Sequence, residues 1–127
     1  NPIEAVAHWK GGSLRALCVF DTAPMPYPKK ITSTQSWKDV PTCKSQGLDV
    51  EYLMLRGIFM PPKSTPAQVA YFENLFKKVR ETPDWNVFME TGAFKDTFMT
   101  GNAFQEWLLK AEVEHYRLMK EAGFIAN

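Results

Sequence analysis

The sequence predicts an α/β fold, on two observations. Short apolar runs rich in β-branched and aromatic residues alternate with amphipathic stretches that carry helix-capping signals. No heptad, internal repeat or low-complexity segment breaks that order. With 127 residues, 45% of them hydrophobic and 23% charged, the chain has the composition of a globular protein and room for one good core. Two full domains would be a squeeze.

The elements follow in order. Asn1 as N-cap, Pro2 at the first helical position and Glu4 predict a helix that runs through Trp9 and stops at Gly11-Gly12. Residues 14–20 (LRALCVF) form a nearly continuous apolar run, which suits a strand covered on both faces. Asp21-Thr22 ends it. Residues 24–36 hold three prolines and form one long irregular segment of the kind that is functional or packed against something absent from the chain. A turn at Pro41-Thr42 leads into about two helical turns closed by Gly47.

Residues 50–60 are the most apolar stretch, and they exceed the roughly six residues of an ordinary strand. Gly57 inside that stretch suits a strand that bends or crosses between two bodies. Thr65-Pro66-Ala67-Gln68 is a capping box for a helix running to about Glu81, with Val69, Phe72, Phe76 and Val79 on one stripe. Thr82-Pro83-Asp84 starts a shorter helix ending at Gly92, and residues 94–99 alternate like a short strand. Asn102 is expected to cap a last helix to about Ala122, with Gly123 as its stop. One face of that helix carries Phe104, Leu108, Ala111, His115 and Leu118.

Several function classes fall away. Fifteen basic residues balance fourteen acidic ones and no basic stripe appears, so nucleic acid is not an expected partner. The four tryptophans lack the basic groove that base stacking needs and are expected in the core. No apolar run approaches a bilayer span, so membrane insertion is not expected. The N-terminus lacks a signal-peptide pattern, which does not decide the compartment.

Catalytic and metal chemistry find no constellation. His8 and His115 have no Cys or carboxylate at ligand spacing, and His115 reads as a hydrogen-bonded structural histidine. No nucleophile elbow, phosphate loop or dinucleotide fingerprint occurs, so neither an enzyme nor a cofactor is expected. Cys18 reads as a small core residue and Cys43 lies in a polar stretch. A bridge between them requires two α-carbons within reach, which sequence does not establish; two free thiols are the expectation.

Four stretches in order carry a resemblance. Gly12-Ser13-Leu14-Arg15-Ala16-Leu17-Cys18-Val19 looks like a G-K-L-R-A-L-A-V strand, and Asp39-Val40-Pro41-Thr42 matches D-V-P-T, followed by Gly47-Leu48. Arg56-Gly57-Ile58-Phe59-Met60-Pro61 with Thr65-Pro66 is similar to a strand and A-P-x-G-T-P turn, and residues 104–123 to a closing helix. Together they resemble the receptors of tripartite tricarboxylate transporters, the Bug-type extracytoplasmic solute receptors. The turn at residues 60–66 departs from the pattern in lacking the glycine and gaining a residue, and Cys18 stands where alanine is usual.

The resemblance implies part of a type II periplasmic-binding fold, two α/β lobes closing on a ligand. Residues 1–49 would be the end of the second lobe, 50–62 the returning crossover strand and turn, and 63–127 a helical part that packs on the first lobe. It implies a non-catalytic periplasmic receptor that delivers a small carboxylate to transporter membrane subunits. The main carboxylate-binding loops would lie outside this sequence, leaving apolar faces that call for a homo-oligomer or a docked partner. Candidate ligand contacts are Asp21 and Thr22, at the carboxyl end of a strand, and Arg56, whose planar fork suits a carboxylate. A strand-end turn for Asp21-Thr22 and a surface ion pair for Arg56 are the plainer expectations. The rival function is a stand-alone interaction protein derived from such a receptor.

Overall fold

The computed structural model of the chain describes residues 2–125. Among the described residues, helix accounts for 49% and strand for 3%, with no sheet. The chain divides into two units, Asn1–Asp96 and Thr97–Asn127.

In the first unit, Pro2–Ala5 forms a 3-10 turn that passes directly into α1 (Val6–Lys10). The expected cap at Asn1 lies outside the described residues. Two more 3-10 turns form at Trp37–Asp39 and Lys44–Gln46; only the second lies where about two helical turns are expected after Pro41-Thr42, and Gly47 closes it at φ 91°, a left-handed value that costs glycine little. α2 (Pro66–Arg80) starts as its sequence predicts. Thr65 Oγ1 accepts from the Gln68 N–H, and Gln68 Oε1 accepts from the Thr65 N–H at 2.8 Å. α3 (Pro83–Gly92) is capped by Thr82, whose hydroxyl accepts from the Trp85 N–H, and it ends at Ala93 with φ 51°.

The strands are the correction to the expected α/β class. Residues 14–20, 50–60 and 94–99 form no strand. What remains of a sheet is a parallel bridge between Val19 and Thr42 and an antiparallel one between Lys30 and Ser36. Val19 donates to Pro41 O and accepts from the Cys43 N–H, both at 2.9 Å, and the neighbouring Phe20 O accepts from the Tyr52 N–H at 2.9 Å. Successive peptide groups of an extended chain point to opposite edges, so the 19–20 segment has a neighbour on each side. The physical reason for the missing ladder is local. An apolar run fixes what side chains need around them, but a strand exists only where a second backbone lies alongside for several residues.

The cysteines are a second correction. Cys18 and Cys43 are not free thiols: they form a disulfide, with α-carbons 4.9 Å apart. The Val19–Thr42 bridge brings their neighbours together, and Cys43 is fully buried.

The core is small. Trp9, Trp37, Val40 and Ala93 are buried together, and the Trp9 and Trp37 rings meet with centroids 4.9 Å apart. Met25, Tyr27 and Ile31 from the irregular segment pack against this cluster, so the long loop is held to the chain's own core rather than to something absent. Ser36 and Asp39 lock its far end. Asp39 Oδ2 accepts from Ser36 N and Ser36 Oγ, each at 2.7 Å, and from Lys30 Nζ at 3.2 Å. The Ser36 bonds, aided by Lys30, hold the Asp39 carboxyl down at about 2. A depressed carboxylate pKa stabilises the fold above the unfolded value near 4, and that contribution disappears as pH falls towards 2. Replacing Asp39 by Asn is therefore expected to flatten the acid limb of the stability curve, measured by thermal unfolding between those pH values. An unchanged limb would exclude Asp39 as a source of the acid sensitivity.

Outside this cluster the first unit is open. Tyr52, Met54, Ile58 and Phe59 are 53–68% exposed, and Phe72 and Val79 of the expected α2 stripe are also exposed. The second unit holds α4 (Gly101–Glu121), whose N-cap is Thr100, two residues before the expected Asn102 and without a side-chain bond. Gly123, at φ 77°, follows the helix as expected. His115 is exposed, and its Nδ1 lies 2.6 Å from Ala111 O of its own helix. Leu109, Val113 and Tyr116 of α4 are exposed.

Candidate functional site

Three residues were singled out for ligand contact, and all three converge on one short segment of the first unit. Asp21 Oδ1 accepts from the Thr22 N–H at 2.6 Å, from Thr22 Oγ1 at 3.1 Å and from Lys95 Nζ at 2.6 Å. The Arg56 guanidinium lies over the Phe94 ring, 4.4 Å from its centroid. Asp21-Thr22 and Arg56 thus meet adjacent residues, Lys95 and Phe94.

That segment is positioned from several sides. Tyr27 donates its phenol to Phe94 O, and Arg80 donates to Asp96 Oδ1 at 2.7 Å. The Phe94 ring packs on Phe88 at 5.2 Å. It also covers Gly92, where a Cβ would come within 2.1 Å of the ring. Glycine is required there by close approach rather than by a positive φ. The left-handed Ala93 makes the sharp turn that folds Phe94 back.

Partial burial works against ionisation of Asp21. The Lys95 hydrogen bond, the Thr22 N–H, the Lys95 charge and the Thr22 hydroxyl together outweigh it and hold the carboxyl below its ordinary range. Asp21 is therefore an anion already neutralised within the chain. It has the wrong sign for a carboxylate ligand, and it engages the ammonium that has the right one. Asp21-Thr22 forms a local bend bonded to Lys95, and the Arg56 guanidinium lies over the Phe94 ring.

Lys95 was not singled out by sequence. It sits in an alternating aromatic and polar stretch without a motif, and its partner is 74 residues away. Replacing Lys95 with Met is expected to raise the Asp21 pKa, since partial burial would remain while its strongest partner is gone. Carboxyl NMR titration reads the shift, and an unmoved pKa would remove Lys95 as the cause.

A recess of about 310 Å3 lies beside the segment, between Tyr27 and the α3 residues Trp85, Met89 and Glu90, with Asp96 at its margin. Burial raises the Tyr27 phenol pKa, and the charges of Asp96 and Glu90 raise it further. The recess is negative and does not suit a carboxylate. Among the described residues, no group of three or more His, Cys, Asp or Glu side chains is placed to hold a metal ion.

No family model, no curated protein and no solved structure matches the chain. Among the described residues, no helix is long and apolar enough to cross a membrane.

Proposed function

We propose that the chain is the C-terminal portion of a non-catalytic solute receptor of the tripartite tricarboxylate transporter type, incomplete as a binding unit. On this reading it belongs to a type II periplasmic-binding fold. Residues 50–60 are its returning strand, and a first lobe supplies the main carboxylate-binding groups. The receptor would act in the periplasm with the transporter's membrane subunits.

The observation that carries the proposal is the state of residues 50–60. They form no helix, strand or turn, they are the most apolar stretch of the chain, and nearly every side chain in them is exposed. Monomeric proteins seldom leave so large a contiguous apolar surface open unless something docks there. Three further features support it. The 19–20 segment has neighbours on both edges, as a strand inside a parallel sheet would. The four motifs occur in family order. The Cys18–Cys43 disulfide suits an oxidising compartment such as the periplasm.

Of the candidate contacts Asp21, Thr22 and Arg56, Arg56 remains a proposed ligand contact, with Lys95 added as a second cation. In the complete receptor Lys95 and Arg56 would face the carboxylate, and Asp21-Thr22 would hold Lys95 in place. The rival, a self-associating interaction protein without a transport role, is favoured by the same exposed apolar surface.

Calorimetric titration with di- and tricarboxylates separates the two. The chain alone is expected to give little heat, and the chain combined with the first lobe of a receptor of this family is expected to give saturable binding. A folded combination that binds no carboxylate would overturn the receptor proposal and leave the interaction protein.

A further inference from the structure

We infer that the recess between the irregular segment and α3 is a binding site for a small quaternary ammonium ion. The inference goes beyond the proposed receptor role and does not rest on it.

The walls are already built. Trp85 and Met89 stand four residues apart on α3, hence on one face, and Asn86 and Glu90 repeat that spacing beside them. The other wall is Pro26-Tyr27-Pro28, whose prolines fix the backbone on either side of the ring. Tyr27 is held twice: its carbonyl accepts from the Lys38 N–H at 3.1 Å, and its hydroxyl donates to Phe94 O. Trp85 packs on Phe88, with ring centroids 5.4 Å apart. Two aromatic side chains, a thioether and two prolines thus line about 310 Å3. That lies at the small end of the ~300–1,000 Å3 that ligand sites occupy.

Charge selects the class of ligand. Glu90 is half-buried and makes no ion pair among the described residues, whereas Asp96 is paired with Arg80 at 2.7 Å. Both carboxylates act on the Tyr27 phenol and disfavour a further negative charge there, so an anion is repelled. A neutral apolar ligand would strip water from Glu90 and leave its charge unpaired. A hard metal ion needs about six oxygen ligands. Among the described residues, no three His, Cys, Asp or Glu side chains come together to supply even half of them.

An organic cation meets all three conditions, and the walls choose among organic cations. A primary ammonium brings three N–H donors, each needing an acceptor, and most of this lining is carbon. A quaternary ammonium brings none, and its methyl groups suit aromatic side chains, which attract its charge. Trp85 also keeps its indole N–H buried without a hydrogen-bond partner. An oxygen carried by the ligand is the group that satisfies such a donor.

Titrating the full chain with choline, a quaternary ammonium that bears a hydroxyl, tests the inference. NMR at the Trp85 indole N–H and the Met89 methyl is the readout, and both signals are expected to move saturably. The neutral alcohol in which carbon replaces the choline nitrogen has the same shape. It is expected to bind more weakly by on the order of tenfold, and Glu90→Gln should weaken choline by about as much. Asp49→Asn removes the same charge from a side chain that is 84% exposed and outside the recess, and should leave choline binding unchanged. Equal affinity for the neutral alcohol would show a recess indifferent to charge and overturn the inference. So would wild-type binding by Glu90→Gln, or a failure of both signals to move at the highest choline concentration. If Glu90→Gln does not fold, the comparison of the two ligands on the wild-type chain still decides.

Discussion

Reducing the Cys18–Cys43 disulfide is expected to cost about 3.5 kcal/mol of unfolding free energy, from the entropy returned to an unfolded chain no longer closed into a loop. The two cysteines are 25 residues apart, and the loop between them contains the irregular segment and both Trp37 and Val40 of the core. Its closure is otherwise secured by short contacts: the Val19–Thr42 bridge and the Lys38 N–H to Tyr27 O bond. Natural domains are stable by only about 0.05–0.15 kcal/mol per residue, so a loss of this size removes a large share of the total. Urea unfolding with and without dithiothreitol, followed by tryptophan fluorescence, measures it. The Cys18→Ala, Cys43→Ala double variant should match the reduced protein. A change below about 1 kcal/mol would mean that the crosslink constrains little that the core does not already hold.

Trp37→Ala is expected to be comparably severe, at about 3–5 kcal/mol. Trp37 is 7% exposed and packs, tilted, on Trp9, which is 5% exposed, and Val40 and Ala93 complete the cluster. The loss combines the ring's burial with a cavity that the disulfide-bound loop cannot easily collapse to fill. The expected outcome is a lower urea midpoint with an unchanged slope. Trp85→Ala, outside this cluster, should cost clearly less. Equal losses for the two would show that the core is not where burial places it.

What the sequence made legible was local. Thr65 with Gln68 and Thr82 with Trp85 set helix starts through bonds spanning three residues, and both starts lie where expected. Gly47 and Gly123 close their turns for a similarly local reason. The cap of α4 was displaced because Thr100 and Asn102 are both good capping residues, and only the backbone decides between them. Non-local features were not legible. The disulfide depends on a bridge between segments more than twenty residues apart, and the Lys95–Asp21 pair joins residues 74 apart. The expected strands failed for a different reason. Apolar runs at residues 14–20 and 50–60 report that these segments need covering, and this chain covers them incompletely.

At the candidate site the sequence pointed to residues that the structure brings to one segment, but not to the segment itself. Asp21 and Thr22 were found from a strand end, and Arg56 from the carboxylate chemistry of its fork. The hub they share, Phe94-Lys95-Asp96, carries no motif and becomes visible only when Tyr27, Arg80 and Gly92 are seen to fix it.

Hydrogen exchange at the amides of Leu53, Leu55 and Gly57 tests most directly whether residues 50–60 lack a neighbour within their own chain. In dilute protein these amides should exchange nearly as fast as in an unfolded peptide, and slow down only as concentration rises or a first lobe is added. Strong protection in the dilute, single chain would contradict the account, because the backbone partner would then already be encoded here.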